Sequence, residues 1–311
     1  MIVHKNIETL PAFKNAVITI GTFDGVHTGH QQLINLMRET ASAINGETVI
    51  ITFYPHPRQI IAAQQSQVFL LNTMQEKISL LEKFGVQHLV IVPFTEAFSH
   101  LTANEYIEQF LVHTFKPHTI IIGHDHRFGK SRAGNFNLLQ QYASIYTYTV
   151  KEIPGYMLEE NIISSTKIRE ALTKGDFITT NKYLGYAYFF SGIVIEGNKI
   201  GRTIGYPTAN LQVENDKKII PGNGVYAVQV HAVINGSTIN AKGMMNIGLR
   251  PTVEGTNRMI EVNIFNFDAA IYGETLTITI KKRLRNEQKF NDLQALKNQL
   301  AKDKIEAAAI D

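Results

Sequence analysis

AVITIGTFDGVHTGH, residues 16–30, sets a run of small and β-branched apolar residues directly before two glycines and a polar turn. Beyond it, GHQQLINLMRETASAI (29–44) repeats apolar residues at helical spacing, with Leu33, Ile34, Met37, Ala41 and Ile44 on one face. The segment reads as strand, loop, helix, and the same grammar recurs. TVIITFYP (48–55) is a strand stopped by Pro55 and Pro57, HLVIVPF (88–94) and TIIIG (119–123) are further strands, and helices are predicted near 72–84 and 103–115. These strands lack polar alternation, so each is buried on both faces, as in a parallel sheet covered by helices. YTYTV (146–150) is expected to close that sheet. ISSTKIREAL (163–172) is expected to form a short helix capped by Ser164, Ser165 or Thr166 and ending at Lys174 and Gly175.

After about residue 183 the pattern changes. GIVIEG, GVYAVQVHAVI, STINAKGMMNIG, MIEVNIFNF and ETLTITIKKRLR alternate apolar with polar residues, and Asn235-Gly236 between two of them is a strong hairpin signal. A small antiparallel β-barrel follows, closed by a helix in NDLQALKNQLAKDKIEAAAI (291–310). The fold class is thus α/β plus β, with domains over 1–182 and 183–311, and 311 residues suit two domains of ordinary size.

Composition narrows the function classes. Thirty basic and 27 acidic residues nearly cancel, giving +3, which argues against a general nucleic-acid binder. The absence of cysteine excludes disulfides, thiolate zinc sites and a cysteine nucleophile. The opening MIVHKNIETLPAFKN holds no apolar stretch long enough for a signal peptide, and no window approaches the ~20 apolar residues of a bilayer span, so a cytoplasmic location without membrane partners is expected. Oligomeric state is left open. Ten of the 11 histidines precede residue 183, and His231 alone follows it.

Two of those histidines belong to GTFDGVHTGH (21–30). The motif sits at a strand-to-helix turn, where open α/β sheets bind ligands. Gly21 and Gly25 permit close backbone approach, and the free N–H groups of the following helix suit a phosphate. His27 and His30, three apart, can donate to charge that builds on that phosphate; a capped loop with incidental histidines is the plainer alternative. In ISSTKIR (163–169), Ser165 and Thr166 at a helix start can bind an anion, and Arg169 can bridge two phosphate oxygens, although an ordinary N-cap has the same residues. In GHDHRFG (123–129), Asp125 can accept from a ribose or flavin group or cap the turn, and sequence leaves these even. In GYPTAN (205–210), Thr208 and Asn210 share one face of an extended segment as hard oxygen ligands of the kind Mg²⁺ takes, with Gly197, Gly201 and Gly205 allowing a loop to close over a nucleotide. Glu261, opening EVNIF, is either a solvent-facing strand residue or a base for a primary alcohol.

Taken together, HTGH resembles the His-x-Gly-His signature of nucleotidyltransferases, and GTFDGVHTGH resembles the opening motif of bacterial bifunctional riboflavin kinase/FAD synthetases. ISSTKIR resembles their second phosphate-holding signature, and GHDHRFG their Gly-x-Asp-Phe-x-Phe-Gly loop, with His126 at an aromatic position. GRTIGYPTANL (201–211), NIGLRPT (246–252) and EVNIFNFDAAIYG (261–273) resemble the riboflavin kinase half. The resemblance implies a Rossmann-like nucleotidyltransferase domain followed by a kinase barrel. It implies phosphorylation of riboflavin by ATP to FMN with release of ADP, then adenylylation of FMN by a second ATP to FAD with release of pyrophosphate. It assigns Glu261, His27, His30 and Arg169 to catalysis; Gly21, Phe23, Asp24, Gly25, Ser165, Thr166, Gly201 and Gly205 to ATP; Asp125 and Arg250 to flavin; and Thr208 and Asn210 to Mg²⁺. Asn263 stands where many relatives carry histidine. A nucleotidyltransferase with another acceptor would leave the β-rich half without a purpose. A non-catalytic flavin-binding module would not need HTGH, PTAN and Glu261 intact.

Overall fold

A computed structural model describes residues 1–61, 68–153, 163–197, 200–252 and 255–310; of residues 200, 250–252 and 255–257 it describes the backbone alone. The chain forms two compact units, Met1–Ser165 and Thr166–Asp311.

The first unit is built on a six-stranded parallel sheet: β1 (Ile2–His4), β2 (Val17–Ile20), β3 (Thr48–Tyr54), β4 (His88–Pro93), β5 (Thr119–Gly123) and β6 (Thr149–Ile153), in the order β1-β4-β3-β2-β5-β6. Every residue of β2 is buried, as the unalternating sequence requires. Ile18, Ile51, Val90 and Ile120 meet Phe110 and Phe115 in the core, and burying one such aliphatic side chain contributes about 2 kcal/mol. The chain steps from β2 through β3 to β4, then returns to the other side of β2 as β5, so the sheet reverses direction beside β2. The loop after β2 therefore lies at the topological switch point.

Two expectations shift here. β1 adds an edge strand that three residues of sequence did not announce. The closing strand is Thr149–Ile153, not 146–150, because a helix, Phe136–Tyr146, occupies the preceding residues and ends with Thr147 in the left-handed region (φ 56°). The helix expected at 103–115 forms, with a π-helical stretch at Tyr106–Val112.

The second unit opens with the helices Ser165–Lys174 and Phe177–Leu184, the first of which begins at the last residue of the first unit. It continues as a closed antiparallel barrel of β7 (Phe189–Ile195), β8 (Ala209–Gln212), β9 (Gly224–Ile234), β10 (Ser237–Thr252), β11 (Gly255–Ile264) and β12 (Thr275–Arg285), ordered β10-β11-β8-β7-β12-β9. Asn235 and Gly236 turn β9 into β10 with positive φ at both residues (49° and 78°), the geometry their sequence predicts. The closing helix, Leu293–Ala308, is capped by Asp292. It is tied to β12 by a bidentate ion pair in which Arg285 donates Nη2 and Nε to the buried Asp303, at 2.7 and 3.0 Å.

Candidate functional site

The turn after β2 is strained and held from several sides. Phe23 (φ 48°), Gly25 (87°) and Val26 (36°) all lie in the left-handed region, which non-glycine residues adopt only where surrounding contacts enforce it. Phe23 and Asp24 turn their side chains into the fold, each 1% exposed. The Asp24 carboxylate accepts from the backbone N–H of Leu71 (2.9 Å) and Asn72 (3.3 Å), and its carbonyl accepts from the Ser165 hydroxyl (2.9 Å). What these two residues offer a nucleotide is therefore backbone and shape. The Ser165 contact also joins the two phosphate signatures that the sequence suggested separately.

His27 is the N-cap of the helix that follows, α1 (Thr28–Ala43): its Nδ1 accepts from the His30 N–H at 3.4 Å. An accepting Nδ1 leaves Nε2 as the protonated nitrogen of the neutral ring. The His27 and His30 rings stack at 3.7 Å, and the Phe23 ring lies 4.7 Å from that of His30. Burial pushes His27 down to about 4 against the opposing pull of Asp24. Burial also pushes His30 well below its ordinary value, helped by His27 and Lys77. Both are neutral hydrogen-bonding groups at neutral pH, and His30 Nδ1 is buried with no hydrogen-bond partner among the described residues. The loop thus presents imidazole edges, helix N–H groups and glycine backbone together, an arrangement suited to binding phosphate without a full charge of its own. Ser165 and Thr166 are the first two residues of the Ser165–Lys174 helix; Thr166 is exposed, and Arg169, one turn on, is half-buried.

Asp125 is exposed in the turn after β5. The ring of its neighbour His126 lies 5.9 Å from Phe128, which stacks on Tyr106 at 5.0 Å. Burial holds His126 near 4, opposed by Asp125. His56 accepts from the Arg58 N–H in a local turn.

In the barrel, Asn210 on β8 is the register partner of Glu261 on β11, which places both on one face, and of Ile195 on β7. Asn210 is 7% exposed, and its Oδ1 is buried without a hydrogen-bond partner among the described residues. An orphaned acceptor beside a carboxylate is costly unless a ligand satisfies it, and a hard cation does so. Thr208, two residues earlier, is exposed. Thr208 lines a pocket with Arg202, Asp268 and Tyr272. Gly197 packs against the Asn210 amide so closely that a Cβ there would collide with it, and Gly201 packs likewise on the Tyr206 carbonyl. Gly205 holds φ at 87° in open space. The side chain of Arg250 lies outside the described residues.

Two supporting residues escaped the sequence reading. Asn263 donates its amide N–H to the Pro207 carbonyl at 2.7 Å, fixing the segment that runs through Thr208 into β8 and Asn210. Lys77 donates its ammonium to the Thr22 carbonyl at 2.6 Å, inside the phosphate-loop motif. A signal for Lys77 existed: it falls on the apolar stripe of its helix, with Leu80 and Leu81.

A doubly wound sheet with a glycine-rich turn at its switch point, followed by a closed antiparallel barrel, is the architecture of a two-part transferase. The FAD synthetase family model matches residues 10–167 and the riboflavin kinase model residues 184–310. The bifunctional riboflavin kinase/FMN adenylyltransferase of Buchnera aphidicola subsp. Schizaphis graminum is 37% identical over 93% of this chain and 92% of its own length, and that of Haemophilus influenzae is 37% identical over the same shares. A crystal structure from Streptococcus pneumoniae, described as a macrolide-efflux protein, is 31% identical and superposes with a TM-score of 0.87 over 99% of this chain and 98% of that one. This chain belongs to the bifunctional riboflavin kinase/FMN adenylyltransferase family.

Proposed function

We propose that the two activities of the family are carried by separate sites in this chain, with riboflavin phosphorylation at the barrel and FMN adenylylation at the loop after β2. The observation that carries this reading is the contrast between Asn210 Oδ1 beside Glu261 and the stacked neutral imidazoles of His27 and His30.

At the barrel, a neutral ribityl hydroxyl must lose a proton as it attacks the γ-phosphorus, and Glu261 is the base that takes it. The donor set of Asn210 and Thr208 fits Mg²⁺, which when bound offsets charge on the ATP phosphates. Gly201 and Gly205 let the backbone close on the nucleotide, and Arg250 and Asp125 serve the flavins of the two reactions. At the loop, the FMN phosphate is already anionic, so no base is required. Its oxygen attacks the α-phosphorus and pyrophosphate departs. His27 through Nε2–H, His30, Ser165, Thr166 and Arg169 donate to the charge that gathers on the phosphates, while Gly21 and Gly25 admit it to the backbone.

The substrates are riboflavin, FMN and ATP, the products FAD, ADP and pyrophosphate, and the place of work the cytoplasm. Among the described residues no helix is long and apolar enough to cross a membrane. Incubation with riboflavin, ATP and Mg²⁺ followed by flavin separation tests the reading: FMN plus FAD are expected, and bound but unchanged riboflavin overturns it.

A further inference from the structure

Lys77 is a buried ammonium whose electrostatic counterpart is the buried Asp24 carboxylate of the loop. It is 6% exposed, and its helix packs its other stripe positions, Leu80 and Leu81, into the core as ordinary apolar residues. A methionine or leucine would fill such a position without the cost of desolvating an ammonium. Its hydrogen bond goes to the neutral Thr22 carbonyl at 2.6 Å, which also accepts from the Thr52 hydroxyl at 3.2 Å, so the charge is placed at the loop's backbone. The loop's Asp24 carboxylate opposes it, while His27 and His30 are uncharged at neutral pH, and Lys77 itself helps hold His30 so. A site that gathers phosphate charge with neutral imidazoles gains from a resident positive charge below them, in surroundings too dry to screen it.

We propose that Lys77 is a positioning residue for adenylyl transfer, whose ammonium fixes the Thr22 carbonyl and supplies the standing positive potential beneath the phosphate loop. The inference rests on the reading of that loop as the nucleotide site. Burial lowers Lys77 to about 8, with Asp24 opposing, so the charge is lost at moderately alkaline pH. The ionisable groups that face it are Asp24 on the loop, His27 and His30 at the start of α1, and Glu76 on its own helix, which is engaged with Thr73 in a capping box. Of these, the histidines are already neutral at that pH.

Two variants of the full-length chain test this. Lys77→Met keeps the length and removes the charge. FAD formation from FMN is expected to fall about tenfold to a hundredfold in kcat. The wild-type loss of rate above pH 8 is expected to vanish in the variant, and riboflavin phosphorylation by the same molecules to stay unchanged. Because the chain has no cysteine, Lys77→Cys creates a unique thiol. Alkylated with bromoethylamine while unfolded and then refolded, it regains an ammonium; alkylated with iodoacetamide, it gains a neutral group of similar size. The cationic adduct should restore FAD formation with its alkaline limb moved to lower pH, since a thioether makes the ammonium more acidic, and the neutral adduct should not. Equal rescue by both adducts, or full kcat with an unchanged alkaline limb in Lys77→Met, overturns the proposal. His27→Ala separates the two levels: if it leaves FAD formation intact, the loop is not the site and the underlying reading fails instead.

Discussion

In the first unit the groups proposed to meet phosphate are two imidazoles made neutral by burial and set on a strained turn at the switch point of a parallel sheet. In the second they are an amide oxygen and a carboxylate on facing positions of adjacent barrel strands, with Gly197 packed against the amide. The difference follows from the nucleophile. An anionic phosphate needs donors and no base, and a neutral alcohol needs a base and a cation to offset the donor's charge. On the proposed reading one chain carries two solutions to phosphate chemistry, and of the ten histidines before residue 183 only His27 and His30 have a part in the first.

The largest expected effects would break this contrast outright. His27→Ala or Arg169→Ala should cut FAD formation by roughly 10²–10³-fold and leave FMN formation intact, whereas Glu261→Ala should abolish FMN formation yet still convert supplied FMN to FAD. Flavin separation by HPLC reads both steps, and loss of both in a folded variant would refute the division. Next is the barrel's own latch. Asp303→Ala strands the Arg285 guanidinium, so the second unit should lose about 3 kcal/mol in denaturant unfolding while the first unit's transition stays in place.

Acid should act the other way round. His27, neutral when folded and with an ordinary pKa of 6.5 when unfolded, takes up a proton on unfolding between pH 6.5 and about 4. Stability is therefore lost as pH falls through 6.5, with no further loss below about 4. From pH 7 to pH 5 this one residue removes about 2 kcal/mol from the first unit, and His126 acts in the same direction. His231, the second unit's only histidine, is exposed, so a pH series of melts should move the first transition more. The smallest effect is expected at Asn263→Ala, which releases the Pro207 carbonyl. It should cost about 1 kcal/mol, seen as a raised KM for MgATP in the kinase step with FAD synthesis unaltered.

Much of this was legible in the sequence where the information is local. The run 16–30 announces strand, turn and helix because periodicity and glycine placement are properties of neighbours in the chain. Asn235-Gly236 announces its hairpin for the same reason. Asn210 and Thr208 were readable as one face of an extended segment; that Glu261 stands opposite Asn210 was not, because 51 positions separate them and only the register of β8 on β11 brings them together. β1 was missed because three residues at a sheet edge carry no periodicity. β6 was displaced because a left-handed residue at Thr147, not the apolar run itself, decides where the helix stops.

By itself the sequence determined that this chain alternates strands and helices and then turns to barrel strands, that thiol chemistry is excluded, and that two sets of phosphate-binding motifs are present. Tertiary structure alone decided which polar groups are dry. His27 and His30 became neutral donors, Asn210 an unsatisfied acceptor and Lys77 a buried cation only when distant segments closed over them. Desolvation sums over everything that packs on a group, and no window of sequence contains that sum.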